Sequence, residues 1–141
     1  ALVLPLVLHH ITSDGEQVGG RVARSQVKLA LNEARRVLKP SGRLWVSEFV
    51  ARRPVYAAEL LASPMTKRVL GLAGIPLVVM HSDAFYRNTL AEIGFDAIES
   101  EAVQADVSPL DLIQPVIGLP WLVVPRFAYP ISSRLFTAIR G

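Results

Sequence analysis

The sequence contains no cysteine, and that absence removes three classes of function at once. A disulfide scaffold, a thiolate metal site and a cysteine nucleophile are all excluded. Charge is also scarce. Only 19% of residues are charged against 51% hydrophobic, the reverse of a disordered composition. Fifteen Lys and Arg against twelve Asp and Glu leave a net charge of +3, with the arginines dispersed. The pairs Arg35-Arg36 and Arg52-Arg53 lack interleaved aromatics, so nucleic acid is not indicated as a partner. The opening apolar run, residues 1–8, falls far short of the ~20 residues that a membrane-spanning helix requires. It also lacks the basic leader and small-residue cleavage site of a signal peptide.

What is present is a mean hydropathy of +0.37 over 141 residues. That length suits one domain, or part of one, with a sizeable core. Residues 1–8, ALVLPLVL, are apolar without alternation and predict a strand buried on both faces, ending or bulging near Pro5. Because the chain opens inside this run, the expectation is a fragment whose upstream context has been removed. Residues 9–20 read as a polar loop. Between Val22 and Leu38 the period changes. Val27, Ala30, Leu31, Ala34, Val37 and Leu38 recur at three- and four-residue spacing and define one helical face. Lys39-Pro40-Ser41-Gly42 stops that helix, and Arg43–Val50 is a second strand.

Ser82 is placed to cap a helix opened by Asp83, with Phe85, Thr89, Leu90 and Ile93 inward and Gly94 ending it in the left-handed conformation. Residues 96–103 alternate apolar and polar as a strand with one solvated face. Residues 132–140 make a closing strand, paired antiparallel with its predecessor. The strand–helix alternation predicts an α/β fold whose first part is parallel. Two apolar inserts, 51–81 and 104–131, interrupt the pattern. Pro115, Pro120, Pro125 and Pro130 deny the second one a long straight helix, so short helical pieces covering one end of the sheet are expected.

The run LVLPLVLHHI, the helix end Arg36-Val37-Leu38-Lys39-Pro40-Ser41-Gly42 and the strand Arg43–Val50 resemble the second half of class I S-adenosylmethionine-dependent methyltransferases of the small-molecule type. The later helix followed by Gly94-Phe95 resembles that family's approach to its sixth strand. The resemblance covers about two thirds of the chain, in order. It implies a partial Rossmann-like sheet, with residues 1–141 as the C-terminal part of one methyltransferase domain and the inserts as substrate caps. It also implies S-adenosylmethionine as cofactor and a small-molecule acceptor. The family's glycine-rich loop has no counterpart: Gly15, Gly19 and Gly20 form no GxGxxG pattern and follow the wrong strand. A missing N-terminal half, or a partner chain supplying it, is therefore expected.

The candidate site residues follow. His9 and His10 stand where the first strand emerges, the end of an α/β sheet where ligands lie. An imidazole with an ordinary pKa near ~6.5 can act as general base toward an acceptor hydroxyl. The plainer reading is an imidazole that orders its loop. The resemblance makes His10 the better candidate. It also matches Leu4, Pro5 and Leu6 to positions whose backbone lines the methionine end of the cofactor, though ordinary core packing accounts for their side chains. Glu48, near the exit of the second strand, could receive a substrate hydrogen bond or hold a histidine tautomer; a salt bridge to Arg52 or Arg53 explains it as well. Tyr56, Tyr86, Arg87 and Trp121 are candidate acceptor contacts only through the placement of the inserts, and each has a structural alternative. Two adjacent histidines without a helical Glu or Asp partner are poor metal ligands, so no metal is proposed.

The apolar inserts point to a lipophilic acceptor, such as a quinone, polyketide or lipid-like metabolite, and a cytoplasmic protein with an option of peripheral membrane contact through Leu119, Trp121 and Leu122. The competing reading is a catalytically inert methyltransferase-like subunit that stabilises a true enzyme. Oxygen, nitrogen and carbon methylation are not separable by these motifs.

Overall fold

A computed structural model describes residues 1–5, 8, 20–52, 57, 61, 68, 80–103 and 131–141. Among these, four strands and two helices are formed: β1 (Leu2–Pro5), α1 (Gly20–Val37), β2 (Arg43–Ala51), α2 (Asp83–Glu92), β3 (Phe95–Ala102) and β4 (Ile131–Arg140). The strands make one mixed sheet in the order β1-β2-β4-β3. β1 runs parallel to β2, from Leu2 opposite Leu44 to Pro5 opposite Ser47. β4 is inserted between β2 and β3 and runs antiparallel to both. The expected antiparallel closing pair is therefore present, and the insertion of its last strand beside β2 is a feature that local patterning does not carry.

Both helices lie on one face of the sheet. Val27, Leu31, Ala34 and Leu38 turn inward from α1 and are buried with Leu44, Val46 and Val50 of β2 and Phe136 and Ala138 of β4. Full burial of such a side chain contributes roughly 1.5–3 kcal/mol, so this row dominates the local energetics. Strict alternation along β2 selects Leu44, Val46, Glu48 and Val50 for the helix side.

The turn after α1 has a backbone reason for its composition. A Cβ on Gly42 would stand 2.7 Å from the Lys39 carbonyl oxygen, which only glycine avoids. The left-handed residue there is Ser41, with φ 61. At α2 the expected caps are formed: Ser82 Oγ accepts the Phe85 N–H at 3.2 Å, and Gly94 follows the helix at φ 83. The inward face differs in one residue. Tyr86 is buried against Phe136, with ring centroids 5.1 Å apart, whereas Phe85 is only half-buried. A tyrosine can replace phenylalanine as the core anchor because its ring supplies the same apolar area.

β1 departs from the expectation of burial on both faces. Among the described residues its one neighbouring strand is β2 and the helices lie on one side, so Leu2 and Leu4 pack against the core while Val3 remains 56% exposed. α1 carries a second apolar stripe, Val22, Leu29 and Val37, that is also exposed. Helical geometry sets that stripe on a different side from Lys28 and Arg35, the residues that reach α2 and its C-terminal turn. The inserts 51–81 and 104–131 lie almost wholly outside the described residues.

Candidate functional site

The connections of this fold are unequal, and their placement marks a candidate site. β1 leads into α1 through residues 6–19, β2 into α2 through 52–82, and β3 into β4 through 103–130. The strand directions put all three at one end of the sheet, the carboxyl end of β1 and β2. The connections at the opposite end, residues 38–42 and 93–94, are short turns. In open α/β sheets the carboxyl end of the parallel strands is where ligands bind, and long loops over a rigid scaffold carry function.

Polar groups are buried at that end. Glu48 is fully buried, and its carboxylate accepts the backbone N–H of Leu8 at 2.6 Å, across 40 positions of sequence. Arg134 stands directly across the ladder from Glu48, at Cα register. His81 is fully buried as well; its carbonyl accepts the Ala51 N–H at 3.0 Å, tying the end of β2 to the start of α2. Its ring lies against Phe85, with centroids 4.2 Å apart, and edge-on to Tyr86. Burial, helped by the positive charge of Arg24, pushes the His81 imidazole down to about 4. The imidazole is therefore neutral at physiological pH.

A cleft of about 130 Å³ opens here between Val50, Ala51 and Arg52 on β2 and the residue after it, Ser82 to Ala84 at the start of α2, and Ser132 and Arg134 on β4. The Asp83 carboxylate in its wall accepts the Ser100 hydroxyl, which fastens α2 to β3. A second cleft, of about 220 Å³, is lined by Arg43, Trp45, Ala97 and Glu99. It lies on the sheet face away from the helices and toward the short-turn end, so its larger size does not make it the better site.

Of the candidate residues read from sequence, Leu4 is half-buried against the core and Pro5 is the exposed last residue of β1. Glu48 sits at the same end of the sheet. His9, His10 and Leu6 lie outside the described residues, as do Tyr56 and Trp121. Tyr86 belongs to the core, and Arg87 is exposed on α2. His81 was not among the candidates. It stands alone before a helix cap, and neither helical nor strand periodicity marks a residue there as buried. Among the described residues, no group of three or more His, Asp or Glu side chains could hold a metal ion, and no helix is long and apolar enough to cross a membrane.

Neither a protein-family model nor a curated protein matches this chain. Solved structures do. Phosphoethanolamine N-methyltransferase 2 of Haemonchus contortus, in complex with phosphomonomethylethanolamine and S-adenosylhomocysteine, superposes with a TM-score of 0.53 at 11% identity. The match covers 99% of this chain and 33% of that one. The same enzyme bound to S-adenosyl-L-methionine gives 0.51 at 12% identity, covering 99% and 32%. The fold is that of the S-adenosylmethionine-dependent methyltransferases. The chain spans about a third of the length of these solved chains. A methyltransferase from Methanosarcina mazei is also similar, with a TM-score of 0.49 at 16% identity, over 98% of this chain and 57% of that one.

This methyltransferase sheet is partial: a parallel pair, then an antiparallel terminal pair, with two helices on one face. The described residues can supply one wall of a cofactor site. Pro5 ends β1 exposed at the carboxyl end, with the far edge of β1 unpaired by any described strand. A ribose-binding acidic residue at the end of a neighbouring strand on that side is not among the described residues.

Proposed function

We propose that this chain is the later part of a methyltransferase that transfers a methyl group from S-adenosylmethionine to a small lipophilic acceptor. The observation that carries the reading is the convergence of all three long connections on the carboxyl end of β1 and β2, in a methyltransferase fold. S-adenosylmethionine would supply the methyl group on a sulfonium sulfur, which departs as a neutral thioether when the carbon–sulfur bond gives way to the bond with the acceptor. Catalysis of such a displacement is largely orientation and exclusion of water. The backbone of Leu4, Pro5 and Leu6 would line the methionine end of the cofactor. His10, with His9 beside it, would take the proton from an acceptor hydroxyl. Glu48, buried at the same end and accepting the Leu8 N–H, would act with them.

The remainder of the cofactor site comes from a preceding half-domain or a partner chain. The edge of β1 that no described strand pairs, the exposed Val3 and the exposed stripe Val22, Leu29 and Val37 support that reading, because each would be covered by a further strand and helix of the same sheet. The apolar composition of 51–81 and 104–131 supports a lipophilic acceptor. Isothermal titration of the complete gene product with S-adenosylmethionine tests the first part, and saturable one-to-one binding is the expected result. No binding would leave the inert, methyltransferase-like subunit as the better description. A panel of quinone, polyketide and polar amine acceptors tests the second part. Equal turnover of polar and apolar acceptors would overturn the lipophilic assignment.

A further inference from the structure

Glu48 occupies a position that the rest of its strand reserves for hydrocarbon. Leu44, Val46 and Val50 share its side of β2, and all are buried. A carboxylate in that row loses its hydration, a cost that must be offset by hydrogen bonds it makes inside the protein. One bond it makes is specific. The described parallel ladder between β1 and β2 runs to Pro5 opposite Ser47. Three residues later the chain from β1 is again tied to β2, now through Glu48 Oε1, which accepts the Leu8 N–H at 2.6 Å. Leu8 is itself 1% exposed and packs in the core cluster. The side chain thus ties the segment after β1 to β2 three residues past the last described backbone pair.

A general base must reach the acceptor. Glu48 is 0% exposed, and one of its oxygens is committed to a main-chain amide. We propose that Glu48 is a positioning residue: its carboxylate fixes the chain at Leu8 and thereby holds the end of β1, Leu4 and Pro5, in place at the carboxyl end of the sheet. The assignment rests on the methyltransferase reading for its functional consequence, and on the Leu8–Glu48 contact alone for its structural one.

Two substitutions in the complete gene product separate these roles. Glu48→Gln keeps a carbonyl oxygen to accept the Leu8 N–H, whereas Glu48→Leu keeps the volume and removes the acceptor. Leaving a buried amide without a partner should weaken S-adenosylmethionine binding about tenfold in Glu48→Leu, with Glu48→Gln within about threefold of wild type. Amide exchange should show Leu8 protected in wild type and Glu48→Gln and deprotected in Glu48→Leu. Wild-type affinity in a folded Glu48→Leu protein would overturn the proposal, as would a tenfold loss in Glu48→Gln. Should Glu48→Leu not fold, Glu48→Gln decides alone: retained affinity and Leu8 protection support the anchor, and loss of either overturns it. Should wild type bind no S-adenosylmethionine, the methyltransferase reading fails, and exchange at Leu8 still decides the anchor.

Discussion

At the short-turn end of the sheet, arginines close the helices; at the other end, buried polar residues tie Leu8 and His81 to β2. The Arg35 Nε donates to the Gly94 carbonyl at 3.2 Å, and the Arg140 guanidinium donates to the Leu38 carbonyl. Each caps the C-terminal end of a helix to which it does not belong. Cations are favourable there because unpaired carbonyls carry the negative end of the helix dipole. Ser41 and Gly42 complete the closure, exchanging backbone hydrogen bonds of 2.9 Å with Arg140. The opposite end buries Glu48 and His81 completely, an arrangement that is costly for stability and serves to fix segments that leave the sheet. The contrast teaches that one end of this sheet is built for stability and the other for placement.

Acid should expose that difference most strongly. The His81 imidazole is held neutral down to about pH 4 in the folded protein and titrates near 6.5 when unfolded. Between those values the unfolded state binds more protons. The stabilisation is therefore complete above pH 6.5 and is lost as pH falls toward 4. A shift of that size corresponds to about 3 kcal/mol. Urea unfolding of wild type and His81→Gln across this window should give free energies that converge by about that amount as pH falls. Parallel pH profiles would show that His81 is not the acid-sensitive group at this end.

The same contrast explains what the sequence discloses and what it hides. The Ser82 cap, the Gly94 stop and the apolar face of α1 are local signals, carried by residues three or four apart, and each is found in place except at Val37, which the expected face included and the structure leaves 58% exposed. The insertion of β4 beside β2 is not local, since it pairs Arg43 with Ile139. Nor are the arginine caps: Arg35 and Arg36 are adjacent in sequence, yet one clasps Gly94 and the other forms an exposed pair with Glu33. Glu48 was visible as an unusual acid in an apolar strand, but a main-chain amide is among its partners, and no side-chain pattern announces that. His10 and His9 remain candidates by resemblance.

A substitution at the short-turn end sharpens the comparison from the other side. Arg140→Ala removes the charged donor from the Leu38 carbonyl and should cost about 2 kcal/mol, within the range for hydrogen bonds to charged groups. Denaturant midpoints would measure this, and S-adenosylmethionine affinity of the folded variant should be unchanged. If Arg140→Ala weakened cofactor binding as much as Glu48→Leu, the division of labour between the two ends would be wrong.

The smallest expected effect tests whether strain at the stable end has a use. Ala97 is exposed on β3 and adopts φ 47, within a register shift between Asp96 and Glu99. A left-handed conformation costs a residue with a Cβ about 1–2 kcal/mol. Glycine removes that cost but loses roughly 0.5–1 kcal/mol in conformational entropy on folding. Ala97→Gly should therefore stabilise by about 0.5 kcal/mol, read as a slightly higher melting temperature with cofactor affinity unaltered. A bulge twists an edge strand away from unwanted pairing, so its geometry has a purpose that the alanine need not share. A destabilised Ala97→Gly protein would mean that the methyl group, which lines the larger cleft with Trp45 and Glu99, outweighs the backbone strain.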